Sequence, residues 1–158
     1  MKLSVYSEEL FSSLIDEYVL TNLHHTDTPQ NIIQKVKADQ DQFAIAISDD
    51  SGNLVGFFCL HLGKGPELYG FFGRKYALIR GFSIDERYRN RGYASESLLD
   101  IFELTKREIS ERITNIVLAV NEQNIAAQKA YEKSGFKRKE KTFEGRLGRL
   151  IIMEKCKV

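Results

Sequence analysis

The 158-residue chain reads as a mixed α/β fold, a central sheet of about seven strands with helices on both faces. Three observations predict it. Apolar residues switch repeatedly between helical and strand spacing, giving the order β, α, α, β, β, β, α, β, α, β, β. The turn Asp49-Asp50-Ser51-Gly52-Asn53 separates two apolar runs, 43–47 and 54–62, and so makes a hairpin of antiparallel neighbours. Two strand-then-helix units follow, 75–110 and 113–134, and such crossovers cover both faces of a sheet.

The elements follow in order. A short apolar strand near the start, 3–6, precedes Ser7, which with Glu8 and Glu9 reads as an N-cap and an acidic first turn. Leu10, Phe11, Leu14, Ile15 and Tyr18 recur at helical spacing, so a helix is expected to end near Leu23. Thr28 before Pro29 marks a second helix, since proline at the first helical position sacrifices no hydrogen bond; Ile32, Ile33 and Val36 give it a buried face. After the hairpin, a glycine-rich aromatic segment over 63–73 leads into a strand over 75–84. Ala94, Leu98, Ile101, Phe102 and Thr105 predict one helix to about Ser110. A buried strand over 113–120, a helix over 124–134, and strands over 136–143 and 147–156 complete the chain. Gly135 stands where a helix C-terminus wants a positive φ.

Lys and Arg total 23 against 22 Asp and Glu, so no global field recruits nucleic acid or a membrane, and neither is expected as a partner. Cys59 and Cys156 fit neither a metal-ligand spacing nor a disulfide framework; both are expected reduced, and no metal is expected. The first residues lack a signal-peptide core and no run of about 18 apolar residues occurs, so the expected location is cytoplasmic. No repeat or linker divides the chain, and a single domain over 1–158 is expected.

The stretch from Ile84 to Ser95 joins an apolar strand to a helix through a basic turn with Gly92 at its tightest point. A helix N-terminus leaves N–H groups without partners and carries partial positive charge, so it suits an anion, and Arg89 and Arg91 strengthen the field. On its own the turn is also an ordinary strand-to-helix connection. Further on, Asn124, Ala127 and Tyr131 lie on one helical face ahead of Gly135-Phe136. There a small side chain beside a hydroxyl leaves room for a thin ligand, although an N-cap asparagine and a core tyrosine give the same pattern.

Together and in this order, the two segments resemble the GNAT acetyltransferase superfamily. Its acyl-CoA motif Arg/Gln-x-x-Gly-x-Gly/Ala is met by Arg89, Gly92 and Ala94, and its later helix by Asn124, Ala127, Tyr131, Gly135 and Phe136. The resemblance covers roughly 77–136; Ala94 stands where many members have glycine, and Glu86 where proline is frequent. It implies a mostly antiparallel sheet that splays between the strand ending at Ile84 and the one ending near Val120, with acetyl-CoA in the opening. By the same resemblance, backbone groups of Asn90, Arg91, Gly92, Tyr93, Ala94 and Ser95 would hold the pyrophosphate, with Arg89 beside them. Phe82, Ser83 and Ile84 would offer backbone to the pantetheine arm, and Asn124 and Ala127 would meet it from the other side. Segment 78–88 is also somewhat similar to bacterial spermine and spermidine N-acetyltransferases.

The implied reaction transfers an acetyl group to a primary amine of a small molecule by direct attack in a ternary complex. A lysine-like amine, with pKa near about 10.4, is neutral in fewer than about one molecule in a thousand at pH 7, so a proton must first leave. A backbone N–H near 82–84 would stabilise developing negative charge on oxygen. By resemblance, Tyr131 is the general acid that protonates the departing thiolate. Some relatives keep a glutamate on the strand before the asparagine helix, whereas Val117-Leu118-Ala119-Val120-Asn121 has no acid. Glu67, His61, His24, His25 and Asp27 are the nearest substitutes for a base, alongside a water relay. Tyr69, Phe71, Phe72 and Tyr76 either line an acceptor pocket suited to a cation or belong to the core. Arg80 offers a bidentate partner to a carboxylate, and Lys137-Arg138-Lys139 is either a phosphate contact or a solvated strand end. Protein N-terminal acetylation, a non-catalytic acyl-CoA sensor and a homodimer are left open.

Overall fold

The computed structural model describes residues 1–21, 23 and 26–158. Seven strands form one sheet in the order β1-β2-β3-β4-β5-β7-β6. These are β1 (Lys2–Val5), β2 (Gln42–Ser48), β3 (Leu54–His61), β4 (Tyr76–Ile84), β5 (Asn115–Asn121), β6 (Lys137–Gly145) and β7 (Gly148–Cys156). Only β4 and β5 pair in parallel; every other neighbour is antiparallel. The two crossover helices therefore sit where the parallel pair requires them.

Helices α1 (Glu8–Ile15) and α2 (Pro29–Ala38) cover one face. Phe11, Ile15 and Ile32 pack there against Ala44, Phe57 and Cys59 of the hairpin. The other face carries α4 (Tyr93–Leu99), α5 (Ile101–Glu108) and α6 (Ile125–Lys133), whose Leu98, Ile101, Leu104 and Tyr131 join Ile45, Phe58, Leu60 and Ile79. Thr28 caps α2 as its sequence predicts, its hydroxyl accepting from the Asn31 N–H at 3.1 Å. Among the described residues no helix is long and apolar enough to cross a membrane.

Three expectations are corrected. The first helix ends at Ile15 rather than near Leu23, because Tyr18 leaves the helix to hydrogen-bond β4 while keeping its ring on the same core. The single helix expected to Ser110 is two, divided at Asp100, whose φ and ψ of −94° and 7° leave the α region. The glycine-rich segment contains a short helix, α3 (Lys64–Glu67).

Candidate active site

The site begins with a failure of pairing. β4 and β5 are joined only from Tyr76 with Asn115 to Ile79 with Leu118, yet β4 runs on to Ile84 and β5 to Asn121. The cause lies in β4. Between the pairs Phe57–Ser83 and Cys59–Arg80, β4 uses one residue more than β3, and Gly81 at φ 62° takes the left-handed conformation of that bulge. A bulge bends its strand and increases twist, which swings 82–84 away from β5. The extra residue also resets the alternation of faces. Ile79, Phe82 and Ile84 all pack toward the α4–α6 core, whereas Arg80 and Ser83, opposite Cys59 and Phe57, face α1 and α2. The strands enclose a cleft of about 920 Å³ that opens on both faces of the sheet.

On the α4 face, β4 passes into a short 3-10 turn, Glu86–Tyr88, capped by Asp85. The fully buried Asp85 carboxylate accepts the Val19 and Arg87 backbone N–H groups, each at 2.9 Å, and the Arg87 guanidinium closes on it at 2.9 Å. Burial opposes its charge, but these hydrogen bonds win and hold the carboxyl below its ordinary range. With the turn pinned, Asn90 at φ 63° and Gly92 at φ 81° curl the backbone into the start of α4. No side chain caps that helix. The first backbone bond runs from the Glu96 N–H to the Gly92 carbonyl, so the N–H groups of Tyr93, Ala94 and Ser95 keep no helical acceptor. They line the cleft with Arg89 and Asn90, whereas Arg91 lies outside it with its guanidinium 5.3 Å from the Tyr88 ring centre.

Across the opening, Asn124 caps α6 by accepting the Ala127 N–H at 3.3 Å, so the N-cap reading of this residue holds while it also lines the cleft. Ala126, Ala127 and Ala130 keep that wall low. Tyr131 is buried between Phe82 and Phe136, with ring centres 6.2 and 5.9 Å away. Its hydroxyl bonds to no described residue and faces the cleft. Burial pushes its phenol upward, so it stays protonated through the physiological range.

On the α1–α2 face, Tyr18 and Thr26 are stitched to the bulge. Thr26 Oγ1 donates to the Phe82 carbonyl at 3.0 Å, and the Tyr18 hydroxyl donates to the Ser83 carbonyl at 3.0 Å with the Ser83 hydroxyl at 2.8 Å. A Cβ on Gly81 would lie 3.0 Å from Ile32 and 3.4 Å from Asp27, which brings Asp27 and the first turn of α2 directly over the bulge.

Residues 7–136 match the model of the acetyltransferase (GNAT) family. The chain belongs to that family. YbbJ of Bacillus subtilis (strain 168), described as an uncharacterized N-acetyltransferase, is 31% identical over 159 residues, with 97% of this chain and 95% of the relative covered. The aminoglycoside acetyltransferase AAC(6')-Ib, solved with coenzyme A, superposes with a TM-score of 0.73 at 17% identity, covering 98% of this chain and 94% of that one. A spermidine N-acetyltransferase SpeG chimera from Vibrio cholerae and hSSAT gives 0.67 at 16% identity, covering 99% and 96%. At such identities the two structures establish a common fold. The protein is thus an N-acetyltransferase of the GNAT family.

Of the base candidates in this acetyltransferase, Asp27 lines the cleft, but it is bound by Lys35 at 2.8 Å, Asn31 at 2.9 Å and the Thr28 N–H at 2.9 Å. Burial raises its pKa, yet those bonds outweigh it and leave the carboxyl below its ordinary value, unsuited to take a proton near neutrality. His61 is buried behind Arg80 and Glu67 is exposed on α3; neither lines the cleft. His24 and His25 lie outside the described residues. Tyr69 faces the cleft with its ring edge-on to Phe143 at 5.2 Å, whereas Phe71 packs on Tyr76 and Phe72 is exposed. Lys137, Arg138 and Lys139 are exposed on the edge strand β6 and do not line it, with Lys139 paired to Glu154 at 3.0 Å.

Several lining residues escaped the sequence reading. Lys129 and Lys133 extend the basic wall from α6, and Arg146 and Leu147 reach in from the β6–β7 turn. That turn is tied to β5 by Asn121, whose side-chain amide donates to the Leu147 carbonyl at 2.9 Å. The two lysines carry a sequence signal: four positions apart on the helix of Tyr131, they share a face. The bulge left a trace as well, because the alternation through Leu78-Ile79-Arg80-Gly81-Phe82-Ser83-Ile84 slips by one at Gly81.

Proposed function

We propose that this acetyltransferase moves the acetyl group of acetyl-CoA to a primary amine of a small molecule by direct attack in a ternary complex. The observation that carries the reading is the parting of β4 from β5 after Ile79, with the unpartnered Tyr131 hydroxyl facing the gap. The fit of the donor rests on two features. The uncapped α4 N-terminus beside Arg89 suits a pyrophosphate, and the unpaired β4 edge suits the amides of a pantetheine arm, which add to a strand edge as another strand would.

Bound there, acetyl-CoA supplies the activated thioester. The residues Asn90 to Ser95 bind its phosphates through backbone, with Gly92 leaving the approach clear. Phe82, Ser83 and Ile84 orient the arm from one side and Asn124 with Ala127 from the other. Tyr131 holds its proton on the phenolic oxygen and gives it to the departing sulfur; its raised pKa keeps the acid form loaded. The acceptor amine enters from the α1–α2 face and loses its proton through water, since Asp27 is committed to Lys35. Incubation with acetyl-CoA and a panel of amines, peptides and cell extract, followed by free thiol and product mass, tests the reading. A new acetylated small amine with equimolar thiol is expected. Acetylated peptide N-termini alone would overturn the substrate class, and binding without thiol release would leave a sensor.

A further inference from the structure

On the reading just given, the α1–α2 face of the cleft holds the acceptor, and its charges are unlike those expected for a polycation. Asp27 is the carboxylate among the described residues that line the cleft, and Lys35 and Asn31 already occupy it. Arg80 also lines the cleft, with no carboxylate partner among the described residues. Its position opposite Cys59 places it on the acceptor face, away from the α4 turn that takes the donor phosphates.

The guanidinium of Arg80 is held, not neutralised. One of its NH groups donates to Nδ1 of His61 at 3.2 Å. Accepting there puts the imidazole proton on Nε2, which faces the Asp39 carboxylate at 3.5 Å without a hydrogen bond. Burial and the adjacent Arg80 charge lower the His61 pKa, so the ring is a neutral acceptor near pH 7. Arg80 is therefore a fixed cation with most of its five donors unspent, lining a cleft whose aspartate among the described residues already has its charge matched. A planar fork with net unit charge is complementary to a monoanionic carboxylate, which it grips by two parallel hydrogen bonds.

We infer that the acceptor is an amine that also carries a carboxylate, of the amino-acid class, and that Arg80 binds this carboxylate and so presents the amine to the donor. The inference rests on the acetyltransferase reading of the cleft, and the experiment separates the two. Thiol release from acetyl-CoA is measured with matched pairs: α-, β- and γ-amino acids, their decarboxylated amines, aminoalkyl phosphates, and spermidine. The expected result is a kcat/KM for the best amino acid about 10²-fold above that of its decarboxylated partner. In Arg80→Gln that ratio collapses toward unity through KM, and Arg80→Lys recovers part of it. Acetyl-CoA affinity, measured by calorimetry, stays unchanged in both variants and reports that they fold. Preference for spermidine or for decarboxylated amines would overturn the inference while leaving the acetyltransferase reading intact. Faster turnover of aminoalkyl phosphates would overturn the choice of anion, and an undiminished ratio in Arg80→Gln the choice of residue. Thiol release with none of these amines, despite acetylation of a peptide, would overturn both.

Discussion

The two walls of the cleft are built by different rules. The wall proposed for the donor is made of three short runs, each local in sequence: Phe82 to Ile84 in one strand, the turn from Asn90 to Ser95, and one face of the helix that follows Asn124. The wall proposed for the acceptor gathers side chains from distant segments, Asp27 and Lys35 from α2 and its approach and Arg80 from β4. Backbone can hold an invariant group such as a pyrophosphate with many side chains in place, whereas an acceptor is chosen by side chains. On the proposed function, one molecule carries a fixed site and an adjustable one on opposite faces of the same bulge.

The largest effect that would break this contrast is expected at Tyr131, the proposed general acid. Tyr131→Phe keeps the ring between Phe82 and Phe136 and removes only the proton, so turnover should fall by about 10²-fold or more with acetyl-CoA affinity unchanged. Steady-state rates beside calorimetric binding decide it; wild-type turnover would remove Tyr131 from the chemistry. Next is the seam between the walls. Asp85 takes hydrogen bonds from Val19 on one side and Arg87 on the other, and Asp85→Ala should cost about 2 kcal/mol of stability, read as a lower urea midpoint. Because its carboxyl is held below the ordinary range, its contribution is whole above about pH 4 and is lost as pH falls through the native value.

A smaller effect tests the claim that donor binding is backbone work. At φ 81°, Gly92 accepts a Cβ without touching protein, so Gly92→Ala should pay about 1 kcal/mol of backbone strain and weaken acetyl-CoA binding about tenfold. Unaltered affinity would mean the ligand does not approach there. The smallest effect concerns His61 on the acceptor side. Its lowered pKa means that the unfolded chain binds the proton first, so the stabilisation is complete above about pH 6.5 and declines as pH falls below that. His61→Gln should remove this decline in thermal melts between pH 5 and pH 7.5; a slope kept in the variant belongs to other groups.

Legibility followed the same division. The order of strands and helices, the hairpin, and both donor motifs were readable because each is a local pattern of spacing, caps and glycines. The end of α1 was not, since Tyr18 fits the helical stripe yet earns its burial through a bond to Ser83 far along the chain. The break at Asp100 was hidden for a related reason: Leu98, Ile101 and Leu104 stay on one core whether the helix is continuous or divided. Asp27, a visible candidate base, turned out to be tied by Lys35, a partnership that only the folded α2 reveals. His61 likewise changed from candidate base to the residue that orients Arg80.

The bulge at Gly81 also constrains how such a cleft arises and how it is lost. Losing that single codon would shift everything after it by one position. Phe82 and Ile84 would be handed to the α1–α2 side, and Ser83 would be driven into the apolar interior. A bulge comes in whole residues, so no series of substitutions at this point passes gradually between a closed sheet and an open one. Variation that preserves the length of β4 leaves the bulge and the cleft in place, while a change of one residue in that length should close the cleft and abolish turnover together.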